Sequence, residues 1–584
     1  MLTYRGPGDI PVHSEKMNVM MKIKAVCCFL SCVVTVASAV TGTSSLRAQR
    51  GQMTVIRGGT LIDGTGRAPI HGAVIVVEGD RIRDVGVAES VQLPSGAKII
   101  DAAGKWILPG LIESHGHYRG FIPELLINHG ITTLVDTGNY MDYILAVREA
   151  AASGKLWGPR IAAAGSGIEG SEVGKPSRDR MHARSVPDAR AAAEEHVRRK
   201  VDLIKVYAGI TAGQLKAISD VAQQHDIPVV GHLQGMDARE AAEAGIDGLV
   251  HASGISAALV PESLRASVKA TPSGGGLFHH AIEESRFAAL ARFLVERHVM
   301  IQPDLVHSSK GAIVKHWDRF ELETRRLFSD PNLVYVPREA VHRWTRTPAG
   351  TPQLLEQRRI GYEKICRFLK TFVDAGGRLL AGSDFQGSAA PGVTLHQEME
   401  VFVHDVGLTP MQAIQTATVN SATFYLKGRG LGTIEAGNVA DLIILASDPL
   451  RDIRNTRTIE QVMKDGRLMA LGYHSWYMNP YQMPAPDPIP ASMTITSITP
   501  YVVQRGQPNA VLTVKGTGFE RNSLVRVAGQ LLETTYVSPA ELKVDVPQLL
   551  LSGVGRLPVE VTYTNRRGAT EASSRWYILV TFRE

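Results

Sequence analysis

From Trp106 onward, short apolar runs alternate with longer amphipathic stretches. The runs are ILPGLIES, ITTLVDTG, RIAAAG, DLIKVYAG, PVVGHL, GLVHAS, VMIQPDL and RLLAGSD. Each is about strand length and ends near Gly, Asp or Ser. Continuous apolar runs of this kind predict strands buried on both faces, as in a parallel sheet. Between them, stretches such as YILAVREAAASG, TAGQLKAISDVAQQHD and ESRFAALARFLVERH repeat apolar positions at helical spacing. Eight strands alternating with helices predict an α/β fold, a parallel (β/α)8 barrel of the TIM type.

The pattern changes on either side. Residues 53–104 read as short strands with turns at Asp63-Gly64 and Gly79-Asp80, and 430–475 return to that pattern in LGTIEAGNVADLIILASDPL and QVMKDGRLMALG. Together they predict one discontinuous β-sandwich, of the kind seen in urease-like proteins, flanking a barrel domain at 105–429. Residues 476–493 hold Pro480, Pro484, Pro486, Pro488 and Pro490 and predict an extended linker. Beyond it, Leu542, Val544 and Val546 alternate with Lys543 and Asp545, and Val559 and Val561 with Glu560 and Thr562. Period-two alternation with a polar outer face predicts an immunoglobulin-like β-sandwich over 494–584. Two connections within the barrel are long, 255–281 and 308–355, and loops of such length shape active sites or move.

A chain of 584 residues is too long for a single core. Its first 48 residues have the form of a secretory signal: Lys22 and Lys24, an apolar run from Ala25 to Val40, then small residues, with cleavage expected after Ala39 or Ala48. A membrane anchor is the alternative, but the run is short for a span. Cys27, Cys28 and Cys32 lie in this region, which leaves Cys366 alone and no internal disulfide. An exported chain without disulfides points to a bacterial periplasm or extracellular space. The net charge of +6 is halved once Arg5, Lys16, Lys22, Lys24 and Arg47, against Asp9 and Glu15, are set aside. With no basic run interleaved with aromatics, nucleic-acid binding is not expected.

The candidate chemistry sits at strand ends. His115 and His117, Lys205, His232, His251 and Asp384 each close a predicted strand. In a (β/α)8 barrel these ends share one bowl. Positions i and i+2 of a strand share a face, so His115 and His117 can hold one ion. Histidines and a carboxylate suit a divalent cation, and several ions would serve. Lys205 is the odd member. An ammonium emerging from apolar Leu203 and Ile204 beside cations would lose its proton, and a neutral amine can add carbon dioxide to form an anionic, two-oxygen carbamate. A lysine paired with a nearby acid is the alternative. Tyr207 shares the face of Lys205 and could donate to an oxyanion; a packed aromatic is the alternative. Tyr118 and Arg119 are weaker candidates for a substrate carboxylate. His279, His280, His307 and His396 read as ordinary loop or core histidines.

The chain resembles the amidohydrolase superfamily in GLIESHGH, DLIKVY, VVGHL, GLVHAS and GSD, and in PGVTLHQEMEVFV, QAIQTATVNSA and LGTIEAGNVADLIIL. The resemblance spans about 53–475. It is to the exported group similar to imidazolonepropionase and to the Xaa-Pro (prolidase-type) and Xaa-Arg/Lys dipeptidases. It implies two divalent metal ions, zinc first with manganese or cobalt open. His115 and His117 would hold one, His232 and His251 the other, with carboxylated Lys205 between them. Asp384 would touch the first metal and move the proton. Val250 is a departure, because relatives often carry a carboxylate there. Around Gly516, Gly518 and Phe519 the C-terminal region resembles an IPT/TIG domain, which implies a spacer or a contact with a cell surface, carbohydrate or protein.

The expected function is an exported binuclear amidohydrolase cleaving a C–N bond in small molecules, in dipeptides or N-acyl amino acids. Lactone, ester or phosphotriester hydrolysis on the same site is the alternative, and a non-catalytic surface binding protein the reading from another class. Oligomerisation stays open, and no stable membrane span is expected after signal cleavage.

Overall fold

The computed structural model describes residues 53–170, 180–271, 274–307, 311–345, 351–385, 389–475, 477, 493–564, 570–573 and 576–581. The expected signal region, with its three cysteines, lies outside the described residues. So does the linker, apart from Tyr477 and Met493. Among the described residues no helix is long and apolar enough to cross a membrane.

The first sheet is assembled from both ends of the central region. Strands β1 (Met53–Leu61), β2 (Ile70–Glu78), β3 (Arg81–Val87), β4 (Lys98–Asp101) and β5 (Trp106–Pro109) join β15 (Leu442–Leu445), β16 (Ile459–Lys464) and β17 (Arg467–Leu468). The order is β17-β16-β15-β5-β1-β2-β3, with β4 also on β1. The closing step is the antiparallel pairing of β5 with β15, Leu108 opposite Ile443. Its core is aliphatic, from Ile56, Ile75, Ile107, Leu442 and Ile444.

The run ILPGLIES, read as one strand, is two. Gly110 separates β5 from β6 (Leu111–Gly116), which starts the barrel. A side chain at Gly110 would place its Cβ 2.3 Å from Thr132 Oγ1, so the chain can change sheets here only with glycine. The barrel wall continues through β7 (Ile131–Asp136), β8 (Arg160–Ala163), β11 (Ile204–Val206), β12 (Val229–Gly231), β13 (Gly248–Val250) and β14 (Met300–Gln302). All pairings within it are parallel. Asp202 N–H donates to the Ala163 carbonyl at 2.9 Å and joins β8 to β11. Residues 378–381 close the ring, bonded to Ile301 on one side and to Ser114 on the other. They make a single parallel bridge, Ile301 with Leu379, rather than a ladder. Two short strands that hydropathy does not announce, β9 (Gly167–Gly170) and β10 (Arg180–Ala183), extend the sheet beside β11. The protein is thus a TIM-barrel-type α/β fold.

In the C-terminal region, Thr494–Thr499, Ala510–Thr517, Thr534–Ser538 and Glu541–Val546 form one sheet. Val502–Gln504, Leu524–Val527, Gln530–Leu532, Gly555–Thr564 and Trp576–Thr581 form the other, with Thr570–Ala572 at its side. This sandwich is docked on the barrel. The connection after β14 carries the helices Gly311–Leu327 and Arg338–Trp344. Arg556 Nε donates to the Val334 carbonyl at 3.1 Å, and Arg338 Nε to the Gly553 carbonyl at 3.2 Å. Val554 joins an apolar cluster with Phe328, Leu333, Val341, Trp344, Leu125 and Val393. One cluster therefore joins the sandwich, the long connection and two other barrel segments.

Candidate active site

The barrel brings together all six residues singled out at strand ends. His115 lies in β6 and His117 just beyond it. Lys205 is the middle residue of β11, while His232 and His251 directly follow β12 and β13. Asp384 is at the centre. Its Oδ1 is 3.2 Å from His117 Nε2 and 3.8 Å from His115 Nε2, and its Oδ2 is 3.6 Å from His251 Nε2. The His232 ring packs edge-on to His251, centroids 4.5 Å apart. His307, read as an ordinary loop histidine, belongs here too, with Nε2 3.1 Å from Asp384 Oδ2.

Buried carboxylates behind this cluster set its shape. Asp304, the last polar residue of VMIQPDL, is fully buried. Its Oδ2 lies 2.9 Å from His115 Nδ1 and 3.0 Å from His251 Nδ1. The His115 ring is hydrogen-bonded in this way and turns Nε2 towards Asp384, whereas His251 Nδ1 approaches Asp304 without a hydrogen bond among the described residues. Glu113 accepts from the backbone N–H groups of His115 and Ser383 at 3.1 and 2.9 Å, and from the Ser383 hydroxyl at 2.6 Å. It ties β6 to the segment that carries Asp384. Glu398 accepts from the N–H groups of Leu305 and Val306 at 2.7 and 2.8 Å and fixes the turn after Asp304. His117 Nδ1 is 2.7 Å from the Gly138 carbonyl. Val250, where a carboxylate was missed, is buried among apolar residues, with Leu203, Val230 and Phe424. The carboxylate near His251 is Asp304, two residues beyond β14, instead.

Three of these residues hold left-handed backbone: His251 at φ 59°, Asp304 at 48° and Asp384 at 45°. Non-glycine residues adopt this region at a cost, and such residues gather where side chains must be aimed. Gly382 shows how tight the floor is. A Cβ there would lie 2.4 Å from Gln302 Nε2 and 2.6 Å from Asp304 Oδ1.

Burial dominates the electrostatics. It holds His115 and His251 well below the usual imidazole range and pulls His232 down to about 4. All three are therefore neutral and able to lend a lone pair to a cation. Burial also pulls Lys205 down to about 7, against the pull of Asp304 and Asp384. Its Nζ is inaccessible and has no hydrogen-bond partner among the described residues. Burial alone would raise the Asp384 carboxyl, but the facing histidines, His307 first, hold it well below the usual carboxylate range. Burial pushes Asp304 well up, helped by Glu398 and Asp384, and pushes Glu398 up to about 8. Among the described residues, two sets of ligand atoms are close enough to share an ion: His115, His117 and Asp384, and His115, His251 and Asp304. Neutral imidazoles, an ionised carboxylate and an orphaned amine fit divalent metal ions.

The other candidates divide. Tyr207 is at the mouth, with its ring centroid 6.2 Å from His232 and 5.3 Å from Lys205 Nζ. Tyr118 is not in the bowl. It has no exposed surface, sits in the main core, and gives its backbone N–H to Asp136 at 2.6 Å. A substrate carboxylate cannot reach a side chain packed there. Arg119 is half-buried and donates to the Tyr118 carbonyl at 2.7 Å. Sequence reasoning passed over Asp304, Glu113, Glu398 and His307. Asp304 carried a usable signal, since it ends a predicted strand as Asp384 does.

Residues 106–288 and 334–469 match the family described as the Amidohydrolase family, and residues 493–575 match the IPT/TIG domain. The first match covers more than half of the chain, and the protein belongs to the amidohydrolase family. It is accordingly a metal-dependent hydrolase acting on carbon–nitrogen bonds. An imidazolonepropionase from Symbiobacterium thermophilum is 23% identical over 438 residues, 69% of this chain and 91% of that protein. The N-acyl-D-aspartate deacylase of Alcaligenes xylosoxydans xylosoxydans is 42% identical over 90 residues, so the match spans only 17% of that protein. A solved Xaa-Pro dipeptidase with bound methionine in the active site superposes with a TM-score of 0.52. It is 21% identical and covers 72% of this chain and 100% of its own. That likeness is one of fold.

Proposed function

We propose that the protein is an exported binuclear amidohydrolase that cleaves an amide in dipeptides or N-acyl amino acids. One observation carries the two-metal reading: Lys205 Nζ, on the strand between those that lead to His117 and His232, is buried, has no hydrogen-bond partner among the described residues, and is brought to about 7. An isolated ammonium is costly there. A neutral amine that took up carbon dioxide and released a proton to water would become an anionic carbamate with two oxygens to offer to cations. His115 and His117 would hold one cation and His232 and His251 the other, with Asp384 touching the first. Zinc suits the donors, as do manganese and cobalt. When bound, such a pair supplies an activated water at neutral pH and polarises the scissile carbonyl.

The chain's own residues do the rest. Asp384, held ionised by the surrounding histidines, receives the proton of the attacking water at a carboxylate oxygen and returns it to the leaving nitrogen. His307, 3.1 Å from Asp384 Oδ2, steadies that carboxylate. The Tyr207 hydroxyl donates to the oxygen that gains charge as the carbonyl becomes tetrahedral. Asp304, hydrogen-bonded to His115 Nδ1, keeps that ring in the orientation that presents Nε2. The expected signal at 1–48 supports export, and the relatives' names support an amide substrate.

The test is elemental analysis with mutagenesis. About two divalent ions per chain are expected, and Lys205→Ala should lose turnover that short carboxylic acids partly restore. One ion per chain, or full activity in Lys205→Ala, would overturn the two-metal, carbamate reading.

A further inference from the structure

We propose that a cleft at the floor of the barrel binds a small amphipathic carboxylate, and that its occupant steadies the wall segment leading to Asp384. The cleft has a volume of about 330 Å³ and lies at the end of that segment away from the mouth. Space of this size is at the lower end of what ligand sites offer. Thr65, in the turn after β1, also borders it, so the cleft sits where the first sheet meets the barrel. Its lining mixes apolar Val373, Leu408 and Val419 with polar Arg378, Gln412 and Asn420, and among the described residues no carboxylate borders it.

Charge selects the ligand. Arg378 is exposed, and among the described residues its guanidinium makes no hydrogen bond or ion pair. Asp374, the acid before it in the chain, is already bound by Lys370 at 2.6 Å. At the end of the helix Pro352–Asp374, the carbonyls of Thr371, Phe372 and Val373 accept from the N–H groups of Ala375, Gly377 and Gly376 and are satisfied internally. Gln412 accepts the Thr409 N–H and hydroxyl on Oε1 at 2.9 and 3.1 Å, which leaves its Nε2 as a donor. A guanidinium and an amide donor beside aliphatic side chains suit a carboxylate with a short hydrocarbon body.

The same cleft reaches the segment that aims Asp384 through the backbone. Asn420 Nδ2 donates to the Leu379 carbonyl at 3.1 Å, and the Ala381 N–H donates to the Thr416 carbonyl at 3.1 Å. Asn420 and Thr416 both border the cleft. The segment they hold makes one bridge to β14 rather than a ladder, and Asp384 follows soon after Ala381. A ligand that fixes Asn420 and Thr416 therefore takes motion out of the stretch before Asp384.

Hydrogen exchange on the metal-loaded full chain tests this, with isocaproate as the probe and isocaproamide as its neutral counterpart. Isocaproate should slow exchange in 376–381 and 412–420, and isocaproamide should not. Arg378→Met should raise the isocaproate concentration needed by about tenfold or more, as for a lost charge-assisted bond. Val419→Trp, which fills the cleft and leaves Arg378 in place, should abolish the effect. Carboxylate bound at the metal site shows instead in peptides holding His115, His117 or Lys205, and survives both substitutions. Leucine has the same skeleton with an α-amino group. Stronger protection by leucine than by isocaproate assigns the occupant to the products of the proposed amide hydrolysis; weaker protection assigns it to a carboxylate from elsewhere. Protection confined to the metal-site peptides, equal for the amide, or unchanged in Arg378→Met would overturn the site. Binding without slower exchange at 379–381 would overturn the link to Asp384. Arg378 is exposed, so its variant keeps the test decisive if Val419→Trp does not fold.

Discussion

The barrel mouth and the C-terminal sandwich are built on opposite terms. The sandwich core is aliphatic: Leu512, Val514, Val525, Leu542, Val544, Val559, Val561 and Ile578 are buried together. Among its described residues only Ser523, Thr562 and Ser573 are buried polar groups. The barrel mouth buries Glu113, Asp304, Glu398, Lys205 and His115 completely. Each would be better hydrated in water; hydrogen bonds offset that loss at Glu113, Glu398 and His115, whereas Lys205 Nζ has no such bond among the described residues. The sandwich spends its sequence on cohesion. The mouth gives up cohesion to hold groups in protonation states that water would not allow.

Four substitutions probe that contrast. The largest effect is expected at Asp384→Asn, which should lower kcat by about 10²–10⁴-fold while metal content is retained. Loss of metal with the activity would show that Asp384 matters as a ligand alone. Next, Asp304→Asn should weaken metal binding by roughly 10- to 100-fold, read by titration of the apo protein, with little loss of thermal stability. A large fall in melting temperature without a change in metal affinity would move Asp304 to the structural side of the comparison. In the sandwich, Leu512→Ala should cost about 2–5 kcal/mol of that domain's stability by denaturant unfolding. It should leave kcat/KM for small substrates unchanged. The smallest effect concerns Asp405, a buried acid away from the mouth. Burial would raise it, but His316, Lys315 and Tyr362 bond to it and hold it below the usual range. A depressed carboxyl stabilises the fold above its unfolded value, near 3.9, and loses that contribution as pH falls towards the folded one. Asp405→Asn should therefore flatten the acid side of the stability–pH curve and cost about 1–3 kcal/mol at pH 7. An unchanged acid slope would show that this pairing adds nothing.

The contrast also explains what the sequence disclosed. Period-two alternation marks the sandwich because every residue there answers to one rule, apolar in and polar out. The barrel strands were visible for a similar reason, and the histidines because they end those strands. Tyr118 misled because it follows His117 in the chain, whereas the backbone turns its side chain into the core. Glu398 sits inside a helix whose residues Val393–Val401 are buried throughout, so no amphipathic stripe sets it apart. The last wall segment, RLLAGSD, proved to be a bridge rather than a ladder, because its backbone leaves the sheet early to aim Asp384. The spacer reading of the C-terminal domain predicts that its removal is harmless. Docking through Val554, Arg338 and Arg556 instead predicts faster proteolysis around 328–344 in a truncated chain.

The pairing of β5 with β15 bears on how the chain is made. β5 emerges from the ribosome before any barrel strand, yet one of its edges stays open until β15 arrives after the last. An apolar strand left unpaired for that interval is an invitation to wrong partners. The long sequence separation also places this contact among the slow ones to form. Sheet closure is thus a checkpoint on a finished barrel: only a chain whose barrel has already brought its ends together can hide Ile107 and Ile444.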